Sequence, residues 1–190
     1  MSKPDYWLKQ NFLSQSESQH LFATLENEIS WRQDTIKMFG KEIKIPRLQH
    51  FMGDKGIEYR YSNTTLTASE WHPSVNELRK NLETLTQLNF NAVLLNYYRD
   101  GKDSMGWHSD DEPELGPNPI IASISLGANR RFLLRNKTDP KQQKNELLLE
   151  SGSLLWMGPT LQRDWQHSLP RTAKNISPRI NLTFRYFPKK

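Results

Sequence analysis

Hydrophobic positions recur along this chain with two different periods, and the change of period divides it. Leu21, Phe22, Leu25 and Ile29 fall three or four residues apart, the repeat of a single helical face. Ser14-Gln15-Ser16-Glu17 stands ahead of them. It is a Ser-x-x-Glu capping box, in which each side chain satisfies the other residue's backbone N–H and so starts a helix. Pro73 can open a second helix, because its fixed φ suits the first helical turn. Val75, Leu78, Leu82 and Leu85 then form one stripe, and Asn89 to Asn91 ends it. Residues 1–12 are polar and read as a loose lead-in. Between the helices the pattern is of short strands and turns. Met38-Phe39-Gly40-Lys41 makes a turn with an aromatic tip, and Ile43 and Ile45 run into a bend at Pro46-Arg47. Gly53-Asp54-Lys55-Gly56 turns into Ile57–Tyr61, where the period is two.

From Ala92 onwards the period of two prevails, over Ala92–Tyr98, Ile120–Leu126, Arg130–Arg135, Glu146–Leu149, Ser153–Met157 and Arg179–Phe187. Two helices followed by many short strands broken by Gly and Pro predict an α+β fold. Its core is a double-sheet jelly roll with the N-terminal helices packed outside. The length of 190 residues fits one domain over 1–190. The last strand alternates fully. Ile180, Leu182, Phe184 and Tyr186 make an apolar face, and Arg179, Asn181, Thr183 and Arg185 a polar one. Either the polar face is solvated, or its two guanidinium groups line a site for a dianion, which they bind bidentately.

Composition narrows the chemistry. The chain has no Cys, so disulfides and thiolate metal sites are excluded, and any metal must sit on His, Asp or Glu. No apolar run has the length of a membrane span, and there is no signal-peptide core at the N-terminus. A monomer in the cytoplasm or nucleus, with no membrane partner, is the expectation. A net charge of +5 suits a polyanionic partner such as nucleic acid. Six Trp, six Tyr and eight Phe exceed what a core of this size needs, and the surplus suits stacking on bases.

The candidate chemistry centres on His108 and Asp110. On an extended backbone residues i and i+2 share a face, so an imidazole nitrogen and a carboxylate oxygen can converge on one metal ion. A second His would complete two His and one carboxylate, the arrangement that leaves open positions on non-haem Fe(II). The plain alternative is a surface His beside a solvated acidic run. Among the other histidines, His20 and His72 read as structural or exposed. His167 is the better candidate, because it lies near the start of the strand that carries the arginine face.

Taken together, Asn96-x-Tyr98, His108-x-Asp110-Asp111-Glu112, His167 and Arg179-x-Asn181-x-Thr183-x-Arg185, in this order and spacing, resemble the AlkB-type dealkylating dioxygenases. The resemblance covers roughly Phe39 to Phe187 and implies a double-stranded β-helix. It implies Fe(II) on His108, Asp110 and His167, with 2-oxoglutarate and O2 as cosubstrates. Asn96, Tyr98, Arg179, Asn181, Thr183 and Arg185 would hold 2-oxoglutarate, with its far carboxylate on Arg179. The implied reaction is oxidative removal of alkyl groups from bases such as 1-methyladenine and 3-methylcytosine in DNA or RNA, releasing formaldehyde, succinate and CO2. The target base must be flipped out or single-stranded. Tyr61 would stack on it opposite His108, with Tyr59 and Glu112 near its edge. Asp111 would pair with Arg47, and Phe39 would wedge into the gap. Read from the residues alone, Tyr59 and Tyr61 are first two half-buried sheet tyrosines, with a base-stacking pair as the alternative. Lys102, Arg130, Arg131 and Arg171 are candidates for phosphate contacts or simply solvated charge. Two other functions stay open: an oxygenase of a protein or lipid, and a non-catalytic nucleic-acid-binding module.

Overall fold

The capping box and the proline set the two long helices. The computed structural model describes residues 3–38, 41–61, 64–141 and 144–188. Helix α1 (Gln15–Glu28) starts where Ser14 Oγ accepts the Glu17 N–H at 3.3 Å and Glu17 Oε2 accepts the Ser14 N–H at 2.8 Å. Helix α2 (Pro73–Thr86) is capped by the imidazole of His72, whose Nδ1 accepts the Ser74 N–H. His72 Nε2 lies 3.1 Å from Glu28 Oε2, so the ring ties the end of α1 to the start of α2. Leu21, Leu25 and Ile29, with Val75, Leu78 and Leu82, bury their stripes against one sheet. The second stripe stops at Leu82: Leu85, in the last turn, is 44% exposed.

In chain order the strands are β1 (Tyr6–Lys9), β2 (Thr35–Met38), β3 (Lys41–Lys44), β4 (Leu48–Gly53), β5 (Glu58–Tyr61), β6 (Thr64–Thr67) and β7 (Ala92–Tyr98). They continue as β8 (Met105–His108), β9 (Ile121–Gly127), β10 (Arg130–Asn136), β11 (Lys144–Leu149), β12 (Leu154–Met157), β13 (Trp165–Leu169) and β14 (Arg179–Arg185). A short helix α3 (Pro159–Asp164) leads into β13. The large sheet has the order β1-β12-β9-β14-β7-β4 and the small one β11-β10-β13-β8, with two hairpins, β2-β3 and β5-β6, besides. Every pairing within the two main sheets is antiparallel. One core lies between α1, α2 and the large sheet. The second lies between the sheets, where Leu94, Ile121, Leu155 and Met157 meet Phe132, Leu134, Leu149 and Leu169. This is the expected jelly roll with helices outside.

Strand β14 runs between β9 and β7, and all seven of its residues are buried. Ile180, Leu182 and Phe184 enter the helix-side core. The alternate face, Arg179, Asn181, Thr183 and Arg185, therefore points between the sheets, and a polar face buried there must find polar partners. The strand ends at Arg185, short of the expected Phe187, and Tyr186 is 45% exposed.

The lead-in expected over 1–12 is not loose. Tyr6–Lys9 pairs with Met157–Leu154 as an edge strand of the large sheet. Just before it, Asp5 Oδ1 and Oδ2 accept the N–H groups of Leu161 (2.6 Å) and Thr160 (3.1 Å), capping α3 from a distance of more than 150 residues in the chain. A four-residue strand held by backbone bonds leaves no hydrophobic period to read. At the aromatic turn, β2 and β3 pair Met38 with Lys41, while Phe39 and Gly40 lie outside the described residues.

Candidate active site

The pairing of β8 with β13 builds the centre. His167 sits directly opposite His108 across that pair, with ring centroids 4.2 Å apart. Asp110 follows in the loop that leaves β8. That loop is pinned from α3 and β13: Gln162 Oε1 accepts the Asp110 N–H at 3.0 Å, and Ser109 Oγ donates to the Trp165 carbonyl at 2.8 Å. One ligand atom from each of His108, Asp110 and His167 lies within 4.8 Å of the others. The set fits a metal ion by its donor chemistry. His108 Nδ1 faces the Gly106 carbonyl at 2.9 Å, which fixes the tautomer and frees Nε2. His167 Nε2 is 3.8 Å from Asp110 Oδ2, and Phe132 stacks on the other side of the His167 ring.

The electrostatics agree. Burial lowers the His167 pKa to about 3, aided by His108 and Arg185 and opposed by Asp110. Burial lowers His108 as well. Both imidazoles are therefore neutral at physiological pH, the form that ligates metals, and the 3.8 Å approach to Asp110 is no ion pair. Burial alone would raise the Asp110 carboxyl, but Arg185 and the two imidazoles outweigh it and hold the pKa at about 2. Arg185 Nη2 donates to Asp110 Oδ1 at 2.6 Å, which leaves Oδ2 on the side of the histidines.

The same cavity is lined by Asn96, Tyr98, Arg179, Asn181, Thr183 and Arg185. Its far end is defined by Arg179, 2% exposed. Arg179 Nη2 donates to Ser125 Oγ at 2.9 Å, whereas Nε and Nη1 have no hydrogen-bond partner. Burial pulls its pKa down to about 10, with Tyr98 opposing and Arg130 adding to the pull. Among the described residues no carboxylate pairs with Arg179, and a buried cation in that state is strongly unfavourable. The free Nη1 and the second proton of the neighbouring Nη2 make a planar fork that is the complement of one carboxylate, so the residues present fit a keto diacid chelating a metal at its other end. Asn181 Nδ2 donates to Ser123 Oγ (2.8 Å) and Thr183 Oγ1 to Asn181 Oδ1 (3.2 Å), making the floor between the two arginines.

Other expected contacts fall differently. Tyr59 is buried and lines the cavity, and its hydroxyl donates to Glu112 Oε1 at 2.7 Å. Glu112 Oε2 is buried without a partner, and burial together with the nearby Asp110 raises the Glu112 pKa against the pull of Arg185. The side chain of Tyr61 lies outside the described residues, as does Phe39. Asp111 takes Lys137 at 3.0 Å and not Arg47, because Lys137 follows β10 into the space beside α3, where its Nζ also reaches the Gln162 carbonyl. Arg47 Nε instead donates to Asn96 Oδ1 at 2.8 Å. Of the four phosphate candidates, Arg130 is buried and donates to the carbonyls of Asp100, Asp103 and Pro170. Arg131 pairs with Glu146. Lys102 and Arg171 are exposed and share a surface groove with Lys44.

Sequence reasoning missed Gln162, Phe132 and Ser125. The Ser123-x-Ser125 alternation was a signal for the last of these, because it turns both hydroxyls toward the face that β14 makes polar. A lone Gln and a lone Phe carry none.

The model of the 2OG-Fe(II) oxygenase superfamily matches residues 5–185. Among curated proteins, the bovine alpha-ketoglutarate-dependent dioxygenase alkB homolog 3 is 39% identical over 182 residues, covering 92% of this chain and 63% of that protein. The mouse DNA oxidative demethylase ALKBH2 is 39% identical over 179 residues, covering 90% of this chain and 75% of that protein. The chain thus spans under two thirds of the first relative's length and three quarters of the second's. The solved structure of OsALKBH1 superposes with a TM-score of 0.70 over 98% of this chain and 100% of that one, at 19% identity, a likeness of fold. No described helix is long and apolar enough to cross a membrane. With the family model spanning nearly the whole chain and AlkB relatives at this identity, the chain belongs to the 2OG-Fe(II) oxygenase superfamily, in its AlkB branch.

Proposed function

We propose that this chain removes alkyl groups oxidatively from bases such as 1-methyladenine and 3-methylcytosine in DNA or RNA. A monomer acting in the cytoplasm or nucleus is part of the same proposal. One observation carries the chemistry: a His-Asp-His set and a buried guanidinium without a carboxylate partner among the described residues face each other across a single cavity. The substrate class is supported by the curated relative named a DNA oxidative demethylase and by the net charge of +5.

His108 Nε2, Asp110 Oδ2 and His167 Nε2 would hold Fe(II), and Arg179 the far carboxylate of 2-oxoglutarate. When bound, the metal supplies the redox chemistry by which O2 and 2-oxoglutarate give succinate and CO2 and the alkyl carbon is hydroxylated. The protein's part is orientation and exclusion of water. Arg185 fixes the Asp110 carboxylate through one oxygen and leaves the other for the metal. The Tyr59 hydroxyl holds Glu112 by one oxygen, and the buried, unpartnered Oε2 would meet the edge of a flipped base. A hydroxymethyl group on a base nitrogen then collapses to formaldehyde and the restored base.

The test is incubation with Fe(II), 2-oxoglutarate and O2 on a panel of methylated single- and double-stranded oligonucleotides, read by mass. Loss of the methyl group with formaldehyde and succinate is expected. His108→Ala should abolish turnover while leaving oligonucleotide affinity largely intact. Absence of turnover on every methylated base by protein that binds iron would overturn the proposal.

A further inference from the structure

We infer that Arg135 is a positioning residue for the metal site, acting through Trp107 and Gln166 on the back of the small sheet. The inference rests on His108, Asp110 and His167 being the metal ligands, but not on the identity of the substrate. Arg135, on β10, places its Cζ 4.2 Å from the centroid of the Trp107 ring on β8. Its Nε and Nη2 both donate to Gln166 Oε1 on β13, at 3.0 and 2.8 Å. Arg135 has Gln166 as its Cα partner across the β10–β13 pair. Among the described residues it forms no ion pair, so these two neighbours account for where its guanidinium sits. A planar fork can hydrogen-bond along its edge and stack on its face at once, and here it joins three adjacent strands.

Trp107 immediately precedes His108, and Gln166 immediately precedes His167. Side chains alternate along a strand, so the cluster lies on the opposite face from the two histidines, one residue away from each. The backbone holds β8 lightly. It is a four-residue edge strand whose register with β13 consists of His167↔His108 and Leu169↔Met105, with a shift between them. A slip of one residue on such a strand exchanges its faces. It would turn Trp107 inward and His108 out. An aromatic ring held under a guanidinium on the outer face opposes that exchange and fixes the azimuth of the His108 side chain.

Co(II) titration of the metal-free protein, followed by its visible absorption bands, tests this without turnover. Trp107→Phe keeps a ring beneath the guanidinium and should bind Co(II) within about threefold of the wild type. Trp107→Leu keeps apolar bulk but removes the ring, and Arg135→Gln removes the cation. Each should weaken Co(II) binding roughly tenfold or more, the range seen when groups behind a ligand are lost, and should alter the band pattern. Trp107→Leu and Arg135→Gln proteins with wild-type affinity and spectrum would overturn the inference. If Trp107→Leu does not fold, Arg135→Gln decides alone, since that side chain lies at the surface of the sheet. A wild type that takes up no Co(II), or uptake that survives His108→Ala, would remove the ligand assignment itself and the inference with it.

Discussion

Arg179 and Arg185 share a strand face and a charge but not a fate. Arg185 is neutralised by Asp110 within the fold, whereas Arg179 has no carboxylate partner among the described residues. The alternation of β14 made both legible as lining residues. Which arginine met which partner was not legible, because the partner of Arg185 lies 75 residues away in the chain. The same blindness gave Asp111 the wrong cation: Lys137 reaches it from the far end of β10, and nothing in the spacing announces that. His167 yields a pH prediction. Its pKa is about 3 in the fold against 6.5 for a free imidazole. The unfolded chain therefore takes up the proton first. The stability that His167 contributes is complete above the unfolded value and is lost as pH falls from there toward 3. Asp110, held at about 2, contributes no slope in the upper part of that window. Between pH 7.5 and 5.5 the metal-free protein should lose about 1 kcal/mol through this group, with His108 adding in the same direction. Urea unfolding at the two pH values measures the loss. His167→Gln should show a flatter dependence, and an unchanged slope in that variant would refute the assignment.

Among the elements, those that carry a long hydrophobic period were legible: α1, α2, β7, β9 and β14. Four of the short ones were not. The segments β1, β8, β13 and α3 are four to six residues each and mix polar with apolar positions, and what fixes them is pairing with strands distant in the chain. Two of the three candidate metal ligands rest on these illegible pieces, since β8 and β13 present the histidines. Helix α3 shows how such a piece is held. Its first turn would expose N–H groups, and Asp5 accepts two of them. Asp5→Ala should lower the unfolding free energy by about 1 kcal/mol, the usual worth of a lost cap, as read from urea denaturation. Asp5→Asn, which keeps an acceptor, should recover most of it. Equal stability of the Ala variant would mean that the β1–β12 pairing alone secures the N-terminal segment.

At the scale of the molecule, the double-sheet architecture and its outer helices followed from the order of periods. The order of strands within each sheet did not, because antiparallel sheets of this kind are wired through long connections that leave no local mark. The closed fold also links ligand to stability. A ligand that binds only the folded chain stabilises it by mass action, by about 2.7 kcal/mol at a hundredfold excess over its dissociation constant, and so raises the melting temperature. Mn(II) should raise the midpoint, and 2-oxoglutarate should raise it further. Arg179→Met should keep the Mn(II) increment and lose most of the second. Its ligand-free form should melt no lower than the wild type, since a buried unpaired cation has been replaced by an apolar chain. A full 2-oxoglutarate increment in that variant would show that the diacid is anchored elsewhere.

The position of β14 has a consequence for how the chain is made. The last of the described strands in chain order, it occupies the interior of the large sheet, between β9 and β7. Until it leaves the ribosome, those two neighbours each present an unsatisfied edge, and the sheet is two fragments with a slot between them. The nascent chain must keep that slot open and dry against strangers. The strand that finally fills it brings both arginines with it, so the proposed cosubstrate pocket and the finished sheet come into being in one event.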